Sequence, residues 1–195
     1  MAVRHLILDR DGVLNVEAHG CGYVTKPDQW QWIPGALEAL AQLHQAGIRM
    51  SIATNQSAVG RGLMTRADLD SVHRHMLADV VQAGGSIAAV YVCPHRPEQG
   101  CGCRKPAPGL IRSAVAESGI GVEETLVVGD DIRDLAAARG AGVEAVLVLT
   151  GKGQHAAALR RPATPIYDDI GALARFLVAV GGPERGQCND DTRRF

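Results

Sequence analysis

Short apolar runs recur along this chain of 195 residues, and stretches with helical periodicity lie between them. The apolar runs are rich in β-branched residues, which is typical of buried strands. They predict strands at residues 3–8, 48–53, 87–92, 125–128 and 145–149. The stretches between and after them place apolar residues three or four positions apart, as an amphipathic helix does. They predict helices at residues 35–46, 66–82, 108–117, 132–139 and 170–180.

Strands that alternate with helices indicate βαβ units, so we expect an α/β, Rossmann-like fold of three layers around a mainly parallel sheet. Two long connections, residues 15–34 and 94–108, contain too few periodic apolar positions to form a second core. We therefore predict one domain over residues 1–180 without a large cap, with a small flap at 15–34 and a metal-binding loop at 93–105. Residues 181–195 contain little apolar material and are predicted to be a disordered tail.

Composition and charge narrow the possible functions. The chain is 46% hydrophobic and 21% charged, and its net charge of −1 gives no basic field that would attract nucleic acid or an anionic membrane. No apolar run is long enough to span a bilayer, and the first residues are charged too early for a signal peptide. We therefore predict a cytoplasmic protein. The absence of a heptad pattern or an obvious sticky helix predicts a monomer.

Polar and charged side chains follow four of the predicted strands at the point where each strand ends. In an open parallel sheet, ligands bind outside the carboxyl ends of the strands. These positions hold Asp9 and Asp11, then Thr54, Asn55, Gln56 and Ser57, then Arg104 and Lys105, and finally Asp130, Asp131 and Asp134. Carboxylates, hydroxyl and amide groups and cations are therefore expected to meet at one edge of the sheet.

The acidic residues of this set predict a magnesium site. Two neighbouring carboxylates disfavour ionisation of each other unless a cation lies between them, and Asp130 adds an oxygen ligand from another strand end. Asp9 and Asp11 could instead be turn residues, but the other strand ends make this alternative weaker. Strand alternation predicts that their side chains point the same way and that Arg10 points elsewhere. Asp131 and Asp134 are weaker candidates, because Asp131 could favour the next helix N-terminus and Asp134 could orient the loop.

A second metal site is predicted by the segment "CPHRPEQGCGC". It contains Cys93, His95, Cys101 and Cys103, three thiols and one imidazole that complete a tetrahedral Zn²⁺ shell. A closed shell leaves no open position for a substrate, so this zinc is expected to be structural and to order a loop that lacks an apolar core. Arg104 and Lys105 follow at once, so the loop would hold two cations where a phosphate could lie.

The residues "DRDGV" at 9–13, "TN" at 54–55, "KP" at 105–106 and "GDDIRD" at 129–134 resemble, in order and spacing, the four motifs of the haloacid dehalogenase superfamily. The resemblance covers about the first 150 residues. It implies that Asp9 is a nucleophile that forms a phosphoaspartate with Mg²⁺ present, and that Asp11 is the proton donor and base. Thr54 and Lys105 would stabilise the transferred phosphoryl group. An Asp at position 11 resembles the phosphatase branch and not the dehalogenases.

The zinc loop, together with "TNQSAVGRG", "GYV" and "TGKG", is similar to D-glycero-D-manno-heptose 1,7-bisphosphate phosphatases. This resemblance implies release of the 7-phosphate from a small phosphorylated sugar, in the supply of activated heptose for surface glycans such as the lipopolysaccharide core. The expected substrate contacts are Asn55, Gln56, Ser57, Arg104 and Arg61, of which Arg61 could either bind phosphate or simply cover surface. A histidinol-phosphate phosphatase is the nearest alternative, and a phospho-accepting receiver domain is a remote one from another class.

Several further side chains have no predicted catalytic role. Trp30 and Trp32 alternate with polar residues, which favours packing of their segment on the domain over stacking with a ligand. His73 and His75 are expected on an exposed helix face. Cys21 and Cys188 lie outside the zinc motif and are predicted to be free thiols, since disulfides are rare in a reducing compartment.

Overall fold

A single parallel sheet of six strands organises the computed structural model, which describes residues 2–17, 22–160 and 163–181. The strands are β1 His5–Leu8, β2 Arg49–Asn55, β3 Ala89–Cys93, β4 Thr125–Gly129, β5 Glu144–Val148 and β6 Ile166–Tyr167. Their spatial order is β3-β2-β1-β4-β5-β6, and every neighbouring pair is parallel. The predicted parallel α/β architecture is therefore confirmed.

Helices cover both faces of this sheet. They are α1 Ala36–Gln45, α2 Ser57–Gly60, α3 Arg66–Gln82, α4 Gly109–Ser118, α5 Ile132–Ala141, α6 Gly153–Leu159 and α7 Ile170–Gly181. Helices α1, α3 and α7 contribute to the core on one face, and α4 and α5 contribute to the core on the other. Within the described ranges, no helix is both long and apolar enough to cross a membrane.

The central strand β1 shows why its sequence is apolar without interruption. Leu6 and Leu8 pack into one core, whereas Ile7 between them packs into the other. All three are fully buried, because helices cover both sides of the strand. Successive strand residues point to opposite faces, so a strand covered on both sides needs an apolar residue at every position.

The strand order reverses between β1 and β4. The chain first runs outward from β1 to β2 and β3, and then returns to place β4 on the other side of β1. Such a switch point opens a crevice at the carboxyl ends of the two adjacent strands, and ligands bind there in open α/β sheets. Asp9 follows β1 and Asp130 follows β4, so the fold brings both to this crevice.

The connection from β1 to α1 packs on the body of the protein. Val24, Trp30 and Ile33 are buried in the core, and the Trp32 indole N–H donates to Asp79 Oδ2 at 2.8 Å. Packing of the two tryptophans on the domain is thus confirmed. No separate cap domain is formed by the part of the chain that the structure describes. The predicted tail beyond residue 181, and with it Cys188, lies outside the described residues, as do residues 18–21, which include Cys21.

Candidate active site

A cavity of about 250 Å³ opens at the carboxyl ends of the strands, beside the switch point. It is lined by Asp9, Asp11, Glu17, Gly22, Tyr23, Thr54, Asn55, Ser57, Arg104, Lys105, Asp130, Asp131, Arg133, Asp134 and Lys152. The strand ends predicted to converge therefore supply most of one pocket. Its lining carries both signs of charge. The acids follow the carboxyl ends of β1 and β4, and the cations come from loops and from helix α5.

Three carboxylates face one another at this pocket. Asp9, Asp130 and Asp134 each place an oxygen within 4.8 Å of the others. The ammonium group of Lys105 lies between two of them, with Nζ 2.9 Å from Asp9 Oδ1 and 2.6 Å from Asp134 Oδ1. Its third hydrogen bond goes to the carbonyl oxygen of Ala53, at 2.8 Å. One buried cation thus bridges the β1 end, the β2 strand and helix α5.

The carboxylates carry an excess of negative charge that one lysine does not balance. Burial, opposed by Lys105 and reinforced by Asp134 and Asp11, raises the pKa of Asp9 to about 7. Burial and then the neighbouring Asp9 raise the pKa of Asp130 to about 8. Burial alone would lower the pKa of Lys105, but Asp134 and Asp9 raise it above its usual range. A further cation beside Asp9 and Asp130 would relieve this repulsion.

Two glycines leave space around the Asp130 carboxylate. A Cβ atom on Gly12 or on Gly151 would collide with Asp130 Oδ2, and both glycines have positive φ angles, of 87° and 55°. The same oxygen accepts the backbone N–H of Lys152 at 2.8 Å. The carboxylate is therefore held in a narrow cradle that only residues without a side chain can form. Carboxylate oxygens in such a position suit a hard cation such as Mg²⁺.

Asp11 lies apart from this group, although its carboxylate also lines the cavity. Its oxygens accept hydrogen bonds from Arg10 Nη2 at 2.9 and 3.1 Å, from Asn15 Nδ2 at 2.9 Å and from Gln56 Nε2 at 2.7 Å. Burial alone would raise its pKa, but Arg10 and these hydrogen bonds lower it. The charge of Asp11 is thus balanced by Arg10, and two neutral amides donate hydrogen bonds to its oxygens.

The predicted direction of Arg10 is wrong. Strand alternation would turn Arg10 away from both aspartates, but β1 ends at Leu8, and the following residues form a turn to which a two-residue period does not apply. In that turn the guanidinium folds back onto Asp11. That Asp11 shares a cation with Asp9 stays a prediction, and the Asp11 carboxylate is not in the group that Asp9 forms with Asp130 and Asp134.

Residues at the end of β2 fix the groups around them. The Asn55 side chain clamps the backbone of Lys105, because its Nδ2 donates to the Lys105 carbonyl at 3.0 Å and its Oδ1 accepts the Lys105 N–H at 3.1 Å. Gln56 Nε2 donates to Thr54 Oγ1 at 2.9 Å as well as to Asp11. Thr54 is buried and lines the cavity, and the hydrogen bond from Gln56 holds its hydroxyl oxygen.

The acids that begin helix α5 divide into a cap and a buried ion pair. Asp131 is the N-cap of α5, where its side chain accepts the backbone N–H of Arg133 and pairs with the Arg133 guanidinium. Asp134 closes the capping box by accepting the Asp131 N–H at 3.0 Å, and it is 1% exposed. Asp131 therefore favours the helix N-terminus, as one of its two predicted roles stated. Its carboxylate is not in the facing group.

The four residues of the cysteine–histidine motif come together in the loop after β3. Cys93, His95, Cys101 and Cys103 place their ligand atoms within 4.8 Å of one another. The sulfur–sulfur distances are 3.3–3.6 Å, and His95 Nδ1 lies 3.3 Å from Cys103 Sγ. These distances are far beyond a disulfide bond and near the edge of about 3.8 Å that a tetrahedral Zn–S site has. Burial and then the Cys103 thiol raise the pKa of Cys93 to about 12, whereas at Cys101 burial is outweighed by hydrogen bonds, first of all from Cys103, which lower its pKa to about 6. A cation among these sulfurs would stabilise the ionised form of all three.

Two of the predicted substrate contacts, Gln56 and Arg61, lie outside the cavity lining. Gln56 is fully buried and does not line the cavity, because its amide is used inside the protein by Asp11 and Thr54. Arg61 is exposed at the end of α2, and it too is outside the lining. Asn55, Ser57 and Arg104 do line it.

The sequence interpretation missed four polar residues of the lining. Arg133 pairs with Asp131, Lys152 pairs with Glu17, and the hydroxyls of Tyr23 and Ser57 lie 3.0 Å apart. Lys152 belongs to the "TGKG" segment, whose position after β5 was a signal that a fifth strand end reaches the site. Glu17 and Tyr23 lie in the irregular segment after β1, where no periodicity indicates which side chains turn inward.

Known proteins resemble this chain over most of its length. Residues 102–173 match the HAD-hydrolase-like family model. A D-glycero-beta-D-manno-heptose-1,7-bisphosphate 7-phosphatase of Pseudomonas putida is 42% identical over 89% of this chain and 98% of its own. A D-glycero-alpha-D-manno-heptose-1,7-bisphosphate 7-phosphatase of Mycobacterium tuberculosis is 41% identical over 67% of this chain and 68% of its own.

A solved structure shows the same similarity in three dimensions. The D,D-heptose 1,7-bisphosphate phosphatase of Bordetella bronchiseptica, complexed with magnesium and phosphate, superposes with a TM-score of 0.86. Its sequence is 39% identical, and the match covers 91% of this chain and 99% of the other. These relatives are phosphatases, which decides against the receiver-domain interpretation. The chain belongs to the D-glycero-D-manno-heptose 1,7-bisphosphate 7-phosphatase family of HAD-like hydrolases.

Proposed function

We propose that this protein is a Mg²⁺-dependent phosphomonoesterase that removes the 7-phosphate of D-glycero-D-manno-heptose 1,7-bisphosphate. The observation that carries the proposal is the group at the switch point. There Lys105 Nζ bridges Asp9 and Asp134 beside Asp130, at the wall of an open cavity. Hard oxygen ligands and a fixed cation around a pocket suit the binding of a phosphoryl group. The relatives that align over most of the chain supply the substrate.

Asp9 and Asp130 are the side chains that we assign to Mg²⁺. Their raised pKa values and the glycine cradle around Asp130 fit a small divalent cation with oxygen ligands. Asp134 is committed to Lys105 and to the helix cap, so we place it around the site and not on the metal. When bound, Mg²⁺ would keep Asp9 ionised and neutralise charge on the phosphoryl oxygens.

Gly12→Ala tests the cradle separately from catalysis. We expect it to weaken Mg²⁺ binding by at least about tenfold, because the new methyl group would push the Asp130 carboxylate from its place. Magnesium-dependent stabilisation in thermal unfolding measures this without any turnover. Gly35→Ala is the matched control, since Gly35 has a similar φ of 80° but open space around a Cβ. Equal magnesium binding by the two variants would contradict the cradle.

In the first chemical step we assign Asp9 as the nucleophile. Its carboxylate oxygen forms a bond to phosphorus, the bond from phosphorus to the O7 oxygen breaks, and Asp11 gives a proton to that oxygen. Negative charge then moves from Asp9 onto the phosphoryl oxygens. The Lys105 ammonium group lies beside Asp9 and can stabilise this charge. The Thr54 hydroxyl accepts from Gln56, so its own proton is available to a phosphoryl oxygen.

In the second step we assign Asp11 as the base. It takes a proton from water, the resulting hydroxide attacks the phosphoaspartate, and inorganic phosphate leaves with Asp9 restored. The pKa of Asp11 is lowered in the free site, where Arg10 and two amides bind it. A phosphoryl group beside Asp11 brings like charge, which raises the pKa of this carboxyl group and favours the protonated form that the first step needs.

We assign Zn²⁺ to the four residues of the loop after β3, as a structural ion. The loop is joined to the site at two points, because Arg104 Nη1 donates to the His95 carbonyl at 3.2 Å and the Gln56 N–H donates to the Cys93 carbonyl at 2.8 Å. Lys105 follows the last thiol by two residues. An ion that closes the loop would therefore fix the positions of Arg104 and Lys105.

The substrate proposal is tested by offering both bisphosphate anomers and histidinol phosphate to the protein with Mg²⁺. We expect the highest kcat/KM for a heptose bisphosphate, with the beta anomer preferred, because the relatives with the widest coverage carry the beta name. Release of inorganic phosphate measures the rate, and phosphorus NMR shows which phosphate is lost. A higher kcat/KM for histidinol phosphate would overturn the proposed substrate.

The proposed product is a heptose 1-phosphate. Its anomeric phosphate is the group that a nucleotidyl transferase needs, so we place the reaction before nucleotide activation of the sugar, in the supply of heptose for surface glycans. The predictions of a cytoplasmic location, a monomeric state and no nucleic-acid partner remain predictions.

A further inference from the structure

Arg10 is the largest fully buried side chain among the described residues, and it lies directly behind the site. Its Nη2 atom donates to both oxygens of Asp11, at 2.9 and 3.1 Å. A guanidinium group without solvent needs partners for its charge and for its N–H groups, or burial is costly. Asp11 supplies the opposite charge, so the two side chains form a buried ion pair at the inner wall of the cavity.

The other end of the guanidinium is fixed by His73 from helix α3. Arg10 Nη1 lies 3.1 Å from His73 Nε2, and His73 is 7% exposed, so the prediction that it lies on an exposed face is wrong. Arginine has only donors, so Nε2 must accept, and the imidazole is neutral with its proton on Nδ1. Burial and then the charge of Arg10 lower the pKa of His73 to about 4, which agrees with a neutral ring.

The hydrogen bonds of Arg10 to His73 and to Asp11 set the orientation of its guanidinium group. Trp30 packs on it, with Arg10 Cζ 5.6 Å from the ring centroid, which favours the cation but does not fix its rotation. Arg10 Nε has no hydrogen-bond partner among the described residues. The rotation of the planar group is therefore determined at Nη1 by His73 and at Nη2 by Asp11.

We propose that His73 and Arg10 are positioning residues that hold the Asp11 carboxylate at the angle needed for proton transfer to the leaving oxygen. This inference rests on the proposed function, in which Asp11 is the proton donor. Loss of the His73 acceptor would leave Nη1 unpaired in a buried place, and the guanidinium would turn toward another partner. Asp11 would keep its two amide donors but lose the fixed geometry on both oxygens, and proton transfer depends strongly on such alignment.

The test compares two leaving groups. A sugar alkoxide needs a proton as it leaves, whereas p-nitrophenolate leaves without one. For His73→Ala we expect kcat/KM on the heptose bisphosphate to fall about tenfold, the scale of one lost hydrogen bond to a charged group. On p-nitrophenyl phosphate, with the same enzyme and Mg²⁺, we expect a change below about threefold. The parameter kcat/KM covers the steps up to the release of the alcohol, so it reports the protonation directly.

Two further variants separate positioning from folding. His73→Gln places an amide oxygen near the former Nε2 and is expected to restore most of the sugar-phosphate activity. His75→Ala is the control, because His75 is two residues on in the same helix and exposed, and in the described part of the chain its ion pair is with the partly exposed Asp79. Should the alanine variant not fold, Arg10→Lys gives the same comparison. Lysine keeps the charge but cannot bond to His73 and to both Asp11 oxygens at once.

Equal losses on the two substrates, or no loss on either, would overturn the positioning role. If the wild-type protein preferred another sugar phosphate, the proposed substrate would be wrong, but the positioning role of His73 and Arg10 would not be affected. The paired comparison would then use that ester, and its outcome would still decide the role of His73 and Arg10.

Discussion

Asp9→Asn is expected to lower kcat on the heptose bisphosphate by roughly 10⁴-fold or more, the scale on which removal of a nucleophile acts in other enzymes. The amide has nearly the same shape as the carboxylate, but its oxygen is a poor nucleophile and cannot form an acyl phosphate. The fold should persist, because the substitution removes a buried charge that repels Asp130 and Asp134. Its thermal midpoint without Mg²⁺ is expected to be unchanged or higher.

The intermediate gives a second measurement that does not depend on the rate. Quenched single-turnover reactions with labelled substrate should yield a phosphoprotein in the wild type and none in the variant. Asp70→Asn is a suitable control, because Asp70 is a surface carboxylate of α3 that pairs with Arg66. Variant activity within about a hundredfold of the wild type, or a labelled Asp9→Asn protein, would contradict the nucleophile assignment.

The place of this site was predictable because strand ends obey a simple rule. Side chains that follow parallel strands meet at one edge of the sheet, wherever the intervening helices lie. Asp9, Lys105 and Asp130 follow β1, β3 and β4, and Thr54 lies in the last two residues of β2. The structure places all four on one cavity. The long helix α3 was predicted with its observed bounds, since its 17 residues give a periodic pattern enough turns to be counted.

Short elements were not predictable in the same way. Helices α2 and α6 have 4 and 7 residues, and β6 has 2. A pattern with a period of 3.6 or 2 residues cannot be recognised over so few positions, and the surrounding structure decides their conformation. Strand β6 pairs in parallel with Leu147 and Val148 of β5, so its conformation depends on a partner that its own sequence pattern does not reveal.

Hydrophobic periodicity did not predict the polar network behind the site for another reason. His73 lies among charged and polar neighbours on α3, and a buried polar residue reads as an exposed one unless its partner is known. Its partner Arg10 is 63 residues earlier in the chain. For the converse reason, the pattern places Gln56 at a strand end among the expected substrate contacts but does not show that its amide donates to Asp11 and Thr54.

We expect the loop that carries Cys93, His95, Cys101 and Cys103 to need a bound ion for its order. It contains little apolar material, and between its ligands lies only the 3₁₀ turn Pro97–Gln99. Its ligand atoms are nevertheless within 4.8 Å of one another, and three thiolates in such proximity repel one another unless a cation lies between them. The ion would therefore supply much of the free energy that orders this segment. Downstream of it, Asn55 holds Lys105 at the position from which its ammonium group reaches Asp9.

Cys101→Ala should remove the ion and lower the thermal midpoint by roughly 10 °C, equivalent to about 3–5 kcal/mol for a chain of this length. The backbone of Lys105 is held by Asn55 and by the metal-binding loop that precedes it. Without the ion the loop no longer holds this backbone and the contact with Asn55 remains, so we expect kcat/KM to fall by about a hundredfold or more. Metal analysis gives the zinc content, and the spectrum of the Co²⁺-substituted protein reports three thiolates and one imidazole. Cys188→Ala, outside the motif, is the matched control. A zinc-free Cys101→Ala protein with wild-type activity and midpoint would show that the loop does not need the ion to hold Lys105.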